Sequence, residues 1–200
     1  MISEKETPYS IIKVFIDYAV SFFFLLLLIP VILILAITIR TTGKGSVLYS
    51  QPRIGKGGIP FRLYKFRSMH NGSEEGIPLI NGKNDKRITS SGRLMRKHKL
   101  DEIPNFINVL KGEMSIVGPR PEQNYFTEQI IMKRPDYKLL LSIKPGITSW
   151  GQVKYGYAEN VDQMIERLDY DLFYLKNKSL WFDLKIAVYT IGIVIKGEGV

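Results

Sequence analysis

The sequence predicts an α+β protein, mainly α, in which a proline-broken apolar helix is joined to a β-hairpin and a helical domain. Three observations lead there. Ala19 to Ile39 is an uncharged run of 21 residues interrupted by Pro30. Two short β-favouring runs flank Gly55-Lys56-Gly57-Gly58. Most of the remaining chain repeats its apolar residues at helical spacing. These features divide the chain into a membrane-inserted helix–break–helix at 1–43 and a single domain at 44–200.

The run AVSFFFLLLLIPVILILAITI matches the roughly 20 residues a helix needs to cross hydrocarbon. No small-residue cleavage site follows it, which argues against a removable signal. Pro30 lacks an N–H and clashes with the carbonyl four residues earlier, so it bends or breaks the helix. Two arrangements follow. A kinked span would be oriented by Arg40, Lys44, Arg53 and Lys56, with the bulk of the chain in the cytoplasm and the N-terminus outside. A re-entrant hairpin would enter and leave the same leaflet. Lys13 and Asp17 lie one helical turn apart and can pair at the interface.

Ser46 to Gln51 and Ile59 to Phe66 read as a hairpin, with Phe61, Leu63, Lys65 and Arg67 on one face. The polar, glycine-rich stretch 70–86 reads as a mobile loop. Ile88 to Lys99 reads as a short basic helix. Asp101 to Gly112 reads as a second, with Ile103, Phe106, Ile107 and Leu110 at helical spacing and Pro104 in its first turn. A turn-rich link through Pro119-Arg120-Pro121 leads to a helix from Glu122 to Met132. Pro145 to Gln152 reads as a loop, and Asn160 to Lys176 as an amphipathic helix. The C-terminal apolar run is too short to span, so it lies in the interface or packs on the domain. Trp150 and Trp181 fit core or interface anchors.

The net charge of +9 is unevenly placed: residues 1–100 hold 16 Lys+Arg against 6 Asp+Glu, and residues 101–200 hold 12 against 13. Arg40 to His70 contains seven cations and no acid. Such a field attracts phosphates, anionic headgroups or nucleic acid. The absence of cysteine excludes disulfides, thiolate catalysis and Cys-based zinc sites, and two histidines exclude a His-rich metal centre.

Within KHKLDEIP, Asp101 and Glu102 follow a cationic cluster. Acids at a helix start are ordinarily caps and dipole partners. Arg96, five residues upstream, and the proline-bracketed Arg120 suggest more. Phosphoryl transfer needs cations on the phosphoryl oxygens and often Mg²⁺ held by carboxylates. A carboxylate can also be the nucleophile.

FRLYKFRSM, SGRLMRKHKLDEIPNFINVLKGEMSIVGPRPE, IKPGITSWGQV and YDLFYLKNKSLWFDLKI follow the broken apolar segment in that order. Together they closely resemble the bacterial sugar transferase family, the monotopic polyprenyl-phosphate phosphoglycosyl transferases, over roughly residues 11–196. The resemblance implies transfer of a phosphosugar from a nucleoside-diphosphate sugar, usually a UDP-sugar, to undecaprenyl phosphate, with release of the nucleoside monophosphate. It implies that Asp101 becomes phosphoglycosylated, and that Glu102 assists with Mg²⁺ or proton transfer. Both are therefore expected at the metal. Lys65, Arg67, Arg96, Arg120, Gln152 and Asp171 match the family's other functional positions and are expected to bind substrate.

The resemblance further implies a re-entrant helix broken at Pro30, with both ends cytoplasmic, against the charge rule. The catalytic domain, with interfacial helices, would then sit on the cytoplasmic face of the bacterial inner membrane. Membrane lipid and downstream glycosyltransferases are the expected partners. The product would start exopolysaccharide, capsule, O-antigen or glycoprotein glycan assembly. A tethered, non-catalytic module recruiting anionic partners would explain charge and anchor but not the carboxylate–arginine motifs. No nucleic-acid partner is expected, since the apolar segment has no role in one.

Overall fold

The computed structural model describes residues 8–42, 45–70, 72 and 85–199. The apolar run folds as two helices, α1 (Pro8–Leu27) and α2 (Ile29–Thr41). Hydrogen bonds from Leu28 N to Phe24 O and from Ile32 N to Leu28 O cross the junction. The interruption thus falls at Leu28, and Pro30 occupies the first turn of α2, where a missing N–H is tolerated. Among the described residues, only α1 is long and apolar enough to cross a membrane.

Both helices lie against the domain along one side. Asp17 of α1 accepts from Ser115 Oγ at 2.6 Å. Lys13 donates to Asp183 at 2.9 Å and also pairs with Asp17 at 3.8 Å, as the sequence spacing suggests. Ile39 of α2 is buried with Phe66, Met95 and Ile103. The outer faces are bare: Phe15, Phe23, Leu27, Leu33 and Ile37 are all exposed.

The expected hairpin forms from β1 (Leu48–Ile54) and β2 (Pro60–Phe66), antiparallel, with Tyr49 opposite Lys65 and Arg53 opposite Phe61. β1 runs further than the sequence suggests because Pro52 is tolerated in a two-stranded sheet, where every strand is an edge. The glycine-rich stretch 70–86 lies largely outside the described residues.

Helix α3 (Ser90–Lys97) is capped by the Thr89 hydroxyl. A Cβ at Gly92 would sit 1.9 Å from the Ser68 carbonyl oxygen, so glycine is what lets α3 abut the end of β2. The helix expected from Asp101 to Gly112 is divided. Leu100–Glu102 form a 3₁₀ turn, and α4 (Asn105–Leu110) begins only after Pro104. Pro104 has no N–H to continue an α-helical ladder from the preceding turn, so that turn stays tight.

A second sheet was not legible in the sequence. β3 (Ser115–Val117) pairs in parallel with β4 (Gly146–Thr148), in stretches expected as a link and a loop. A Cβ at Gly146 would lie 2.1 Å from Gly118 N, so this close pairing requires the glycine.

The rest is helical: α5 (Asn124–Lys133), a 3₁₀ stretch at Pro135–Ser142, α6 (Trp150–Lys154), α7 (Val161–Asn177) and α8 (Leu180–Lys196). Ser149, Asn160 and Ser179 cap the last three with side-chain oxygens. Phe126, Ile130, Tyr137, Leu140, Met164 and Leu168 form one core. Val117, Trp150, Tyr174 and Ile186 form another, which fixes α8 to the parallel pair. Each such fully buried aliphatic side chain contributes about 1.5–3 kcal/mol. Of the two expected placements the C-terminal run shows packing on the domain, through Ile186, and it turns Trp181, Leu184, Val188, Ile191 and Ile195 outward at coiled-coil-like spacing.

Candidate active site

Lys99 is the only described non-glycine residue with positive φ, at 52°. A left-handed residue there ends the passage from α3 and turns the chain into the 3₁₀ turn carrying Asp101 and Glu102. The following helix is fixed by Asn108, which is fully buried. Its Oδ1 accepts from Tyr64 N at 3.1 Å, and its Nδ2 donates to Arg62 O and Glu113 at 2.7 Å each. α4 is thereby clamped to β2, and Lys65 on that strand meets the acidic pair.

Asp101 and Glu102 are both buried, at 5% and 8% exposure, so they are not surface caps. Glu102 Oε1 accepts from Lys65 Nζ at 2.8 Å and lies 3.5 Å from Arg120 Nη1. Its Oε2 is buried without a hydrogen-bond partner. Burial alone would raise the Glu102 pKa, but Lys65, Arg120 and Lys99 outweigh it and hold the carboxyl well below the usual range. Asp101 goes the other way. Burial pushes it up, Lys65 and Arg96 pull it partly back, and the Glu102 charge adds to the rise. The two carboxyls are thus differentiated: the cations favour the charged form of Glu102, and burial disfavours that of Asp101.

Arg120 is presented from a segment held on both sides. Pro119 O accepts from Gly146 N at 2.9 Å, and Glu122 O accepts from Ile54 N at 3.0 Å. Arg53 Nη1 donates to Pro121 O at 3.2 Å. Behind it, Glu122 joins the buried Arg167 at 2.6 Å and the half-buried Arg53 at 3.5 Å. Burial pulls Arg53 down to about 10 despite Glu122. Desolvation also lowers Lys99, which faces Glu102 and Asp101.

Arg53, Lys99, Glu122 and Arg167 are residues that sequence reasoning did not place at the site. Arg167 carried a signal: it falls between Met164 and Asp171 on the buried face of α7, where a cation is out of place unless paired.

Of the expected residues, Asp101, Glu102, Lys65 and Arg120 are brought together. Arg96 joins them electrostatically, with its Nε donating to Ser68 Oγ at 2.9 Å. Arg67 lies just past β2, and its Nη2 donates to Ile39 O at 2.8 Å at the end of α2. Gln152 is on α6, with Oε1 buried and unpartnered. Asp171 accepts from Gly151 N at 2.8 Å and so holds the start of α6. Pro30 is remote, in the apolar segment.

A divalent cation fits the acidic pair, since two adjacent carboxylates supply hard oxygen donors and Glu102 Oε2 has no other partner. Chemically, the arrangement offers a carboxylate nucleophile backed by cations in a desolvated setting, suited to an anionic phosphorus centre.

The bacterial sugar transferase profile matches residues 8–197. The chain is 40% identical over 191 residues to a UDP-N-acetylgalactosamine-undecaprenyl-phosphate N-acetylgalactosaminephosphotransferase of Aeromonas hydrophila, covering 96% of this chain and 45% of that one. It is 40% identical over 177 residues to a UDP-glucose:undecaprenyl-phosphate glucose-1-phosphate transferase of Klebsiella pneumoniae, covering 88% and 38%. A protein of the same description from Caulobacter vibrioides is 37% identical over 165 residues, covering 81% and 61%. The chain therefore spans less than half the length of the first two relatives.

Proposed function

The chain belongs to the bacterial sugar transferase family, and on that footing we propose that it moves a phosphosugar from a UDP-sugar to undecaprenyl phosphate through a covalent intermediate on Asp101. An Asp101 carboxylate oxygen attacks the phosphorus that bears the sugar. The new O–P bond forms as the bond to the bridging oxygen breaks, and UMP leaves with that electron pair. A phosphate oxygen of undecaprenyl phosphate then attacks the same phosphorus and displaces the Asp101 carboxylate, giving the polyprenyl-diphosphate-sugar. Splitting one displacement into two lets each acceptor enter in turn.

The observation that carries this reading is the buried pair itself, with Glu102 held as an anion by Lys65 and Arg120, and Asp101 beside it in the field of Lys65 and Arg96. Relatives that act on UDP-sugars and undecaprenyl phosphate, by their descriptions, support the substrates. Arg120 and Arg96 hold the diphosphate, and Lys65 keeps Glu102 charged and oriented. Asp101 and Glu102 would hold Mg²⁺, which supplies charge neutralisation for the diphosphate when bound. The product would begin assembly of an exopolysaccharide, capsule, O-antigen or glycoprotein glycan and pass to downstream glycosyltransferases.

The apolar segment is re-entrant in this proposal, with the domain at the cytoplasmic face of the inner membrane. Contacts at both ends favour it: Lys13 reaches Asp183, and the Ile39 carbonyl reaches Arg67. A helix crossing the bilayer would carry one of those ends roughly 30 Å away. The bare Phe23, Leu27 and Leu33 lie between them.

The test is single-turnover chemistry. Enzyme incubated with a panel of labelled UDP-sugars, without lipid acceptor, should release one equivalent of UMP for the right sugar and keep label on the peptide containing Asp101. A preparation that makes lipid-linked product but releases no UMP without the lipid would end the covalent mechanism.

A further inference from the structure

Helix α4 carries two buried asparagines with opposite fates. Asn108 has its oxygen and its amide nitrogen engaged. Asn105, at 3% exposure, has its Oδ1 buried without a partner. Asn105 stands three residues after Glu102, whose Oε2 is likewise buried and unpartnered. The backbone between them is helical: Ile103 has φ −51° and ψ −40°, and Pro104 has φ −62° and ψ −14°. Residues three and four apart on such backbone share a face, so Asn105 lies beside both Glu102 and Asp101. Two buried open acceptors one helical turn apart are an arrangement that folding alone disfavours and that a cation resolves. Among the described residues, no three His, Cys, Asp or Glu side chains gather to hold a metal. A hard ion at the acidic pair must therefore take further oxygens from neutral groups, water or substrate, as Mg²⁺ and Mn²⁺ commonly do.

We propose that Asn105 Oδ1 is the third protein ligand of a divalent cation at Asp101 and Glu102. The inference rests on the reading that this pair binds such an ion. An amide oxygen adds coordination without charge. The site then keeps two formal negative charges instead of three, and repels the incoming diphosphate less. Asn105 would also tie the ion to α4, while Lys65 keeps Glu102 Oε1.

The test is Mn²⁺ titration of the full chain in detergent, with bound ion read from loss of the free-ion paramagnetic resonance signal. Asn105→Leu keeps the side-chain shape and removes the oxygen. It should weaken Mn²⁺ binding at least fivefold, and Asn105→Asp should restore or tighten it. Wild-type affinity in Asn105→Leu, together with lost binding in Asp101→Asn, would overturn the role of Asn105 and leave the cation reading standing. A wild-type protein that binds no Mn²⁺, with or without UMP, would sink the cation reading and this inference with it. If Asn105→Leu does not fold, Asn105→Asp decides alone: binding weaker than wild type overturns the proposal.

Discussion

Arg167, in the middle of α7, donates to Glu122 at 2.6 Å, two residues beyond Arg120. Both side chains are almost fully buried, and Glu122 shares its other oxygen with Arg53. The helical layer therefore reaches the segment that carries Arg120 through one carboxylate. Removing one partner of a buried pair leaves an uncompensated charge, so Arg167→Met should cost about 3 kcal/mol in chemical denaturation. Adding Glu122→Gln should recover part of that loss. Arg120→Ala should behave differently, with turnover down tenfold or more and the fold kept. Near-normal rates in Arg120→Ala would return that residue to a structural role.

Asp101→Asn separates capping from chemistry. Asn caps about as well as Asp, and the buried Asp101 carboxyl already resists ionisation. Stability should be unchanged or slightly higher. Turnover should fall to background, since an amide does not attack phosphorus. Glu102→Gln should retain more activity than Asp101→Asn. A rate assay paired with a thermal melt for each variant decides it.

Asp171 gives a pH signature. Burial pushes it up to about 6, against the pull of Arg167 and the Gly151 N–H. In the unfolded chain it titrates near about 3.9. Between those values the folded state keeps the proton that the unfolded state has lost. Stability therefore falls as pH rises through about 4 to 6, and the loss is complete above that window. Asp171→Asn mimics the protonated form and keeps an acceptor for Gly151 N. It should be more stable than wild type at pH 7.5, by up to about 3 kcal/mol, and match it near pH 4. A gap that widens toward acid would contradict this account.

Topology is testable because the chain has no cysteine. With both ends of the apolar segment on the cytoplasmic side, Ser3→Cys should resist an impermeant thiol reagent in intact cells and react after lysis. Ready labelling in intact cells would favour a kinked span.

Much of this was legible in the sequence because its signals are local. The hairpin announces itself through Gly55 to Gly58, and α7 through Val161, Met164, Ile165 and Leu168. The dyad was visible for its company, Arg96 and Arg120. The β3–β4 pair was hidden because three-residue strands 31 positions apart, Ser115 and Gly146, leave no period to read. The division of the Asp101 helix at Pro104 was hidden because a proline is equally at home in the first turn of one continuous helix. The Arg53–Glu122–Arg167 network joins three distant stretches of chain. Nothing in the neighbours of any one of them announces the other two.

The latch between Lys13 and Asp183 has a consequence for synthesis. The partners are 170 residues apart. At the usual 5–20 residues per second, about 10–30 s pass between making one and making the other. Asp17 waits similarly for Ser115, 98 residues later. The apolar segment thus emerges long before the groups that satisfy its polar end. Until those partners are made, Lys13 and Asp17 have each other, one helical turn apart, to pair with. Chains stopped before α8 would leave Lys13 without its far partner and α1 without that tie to the domain.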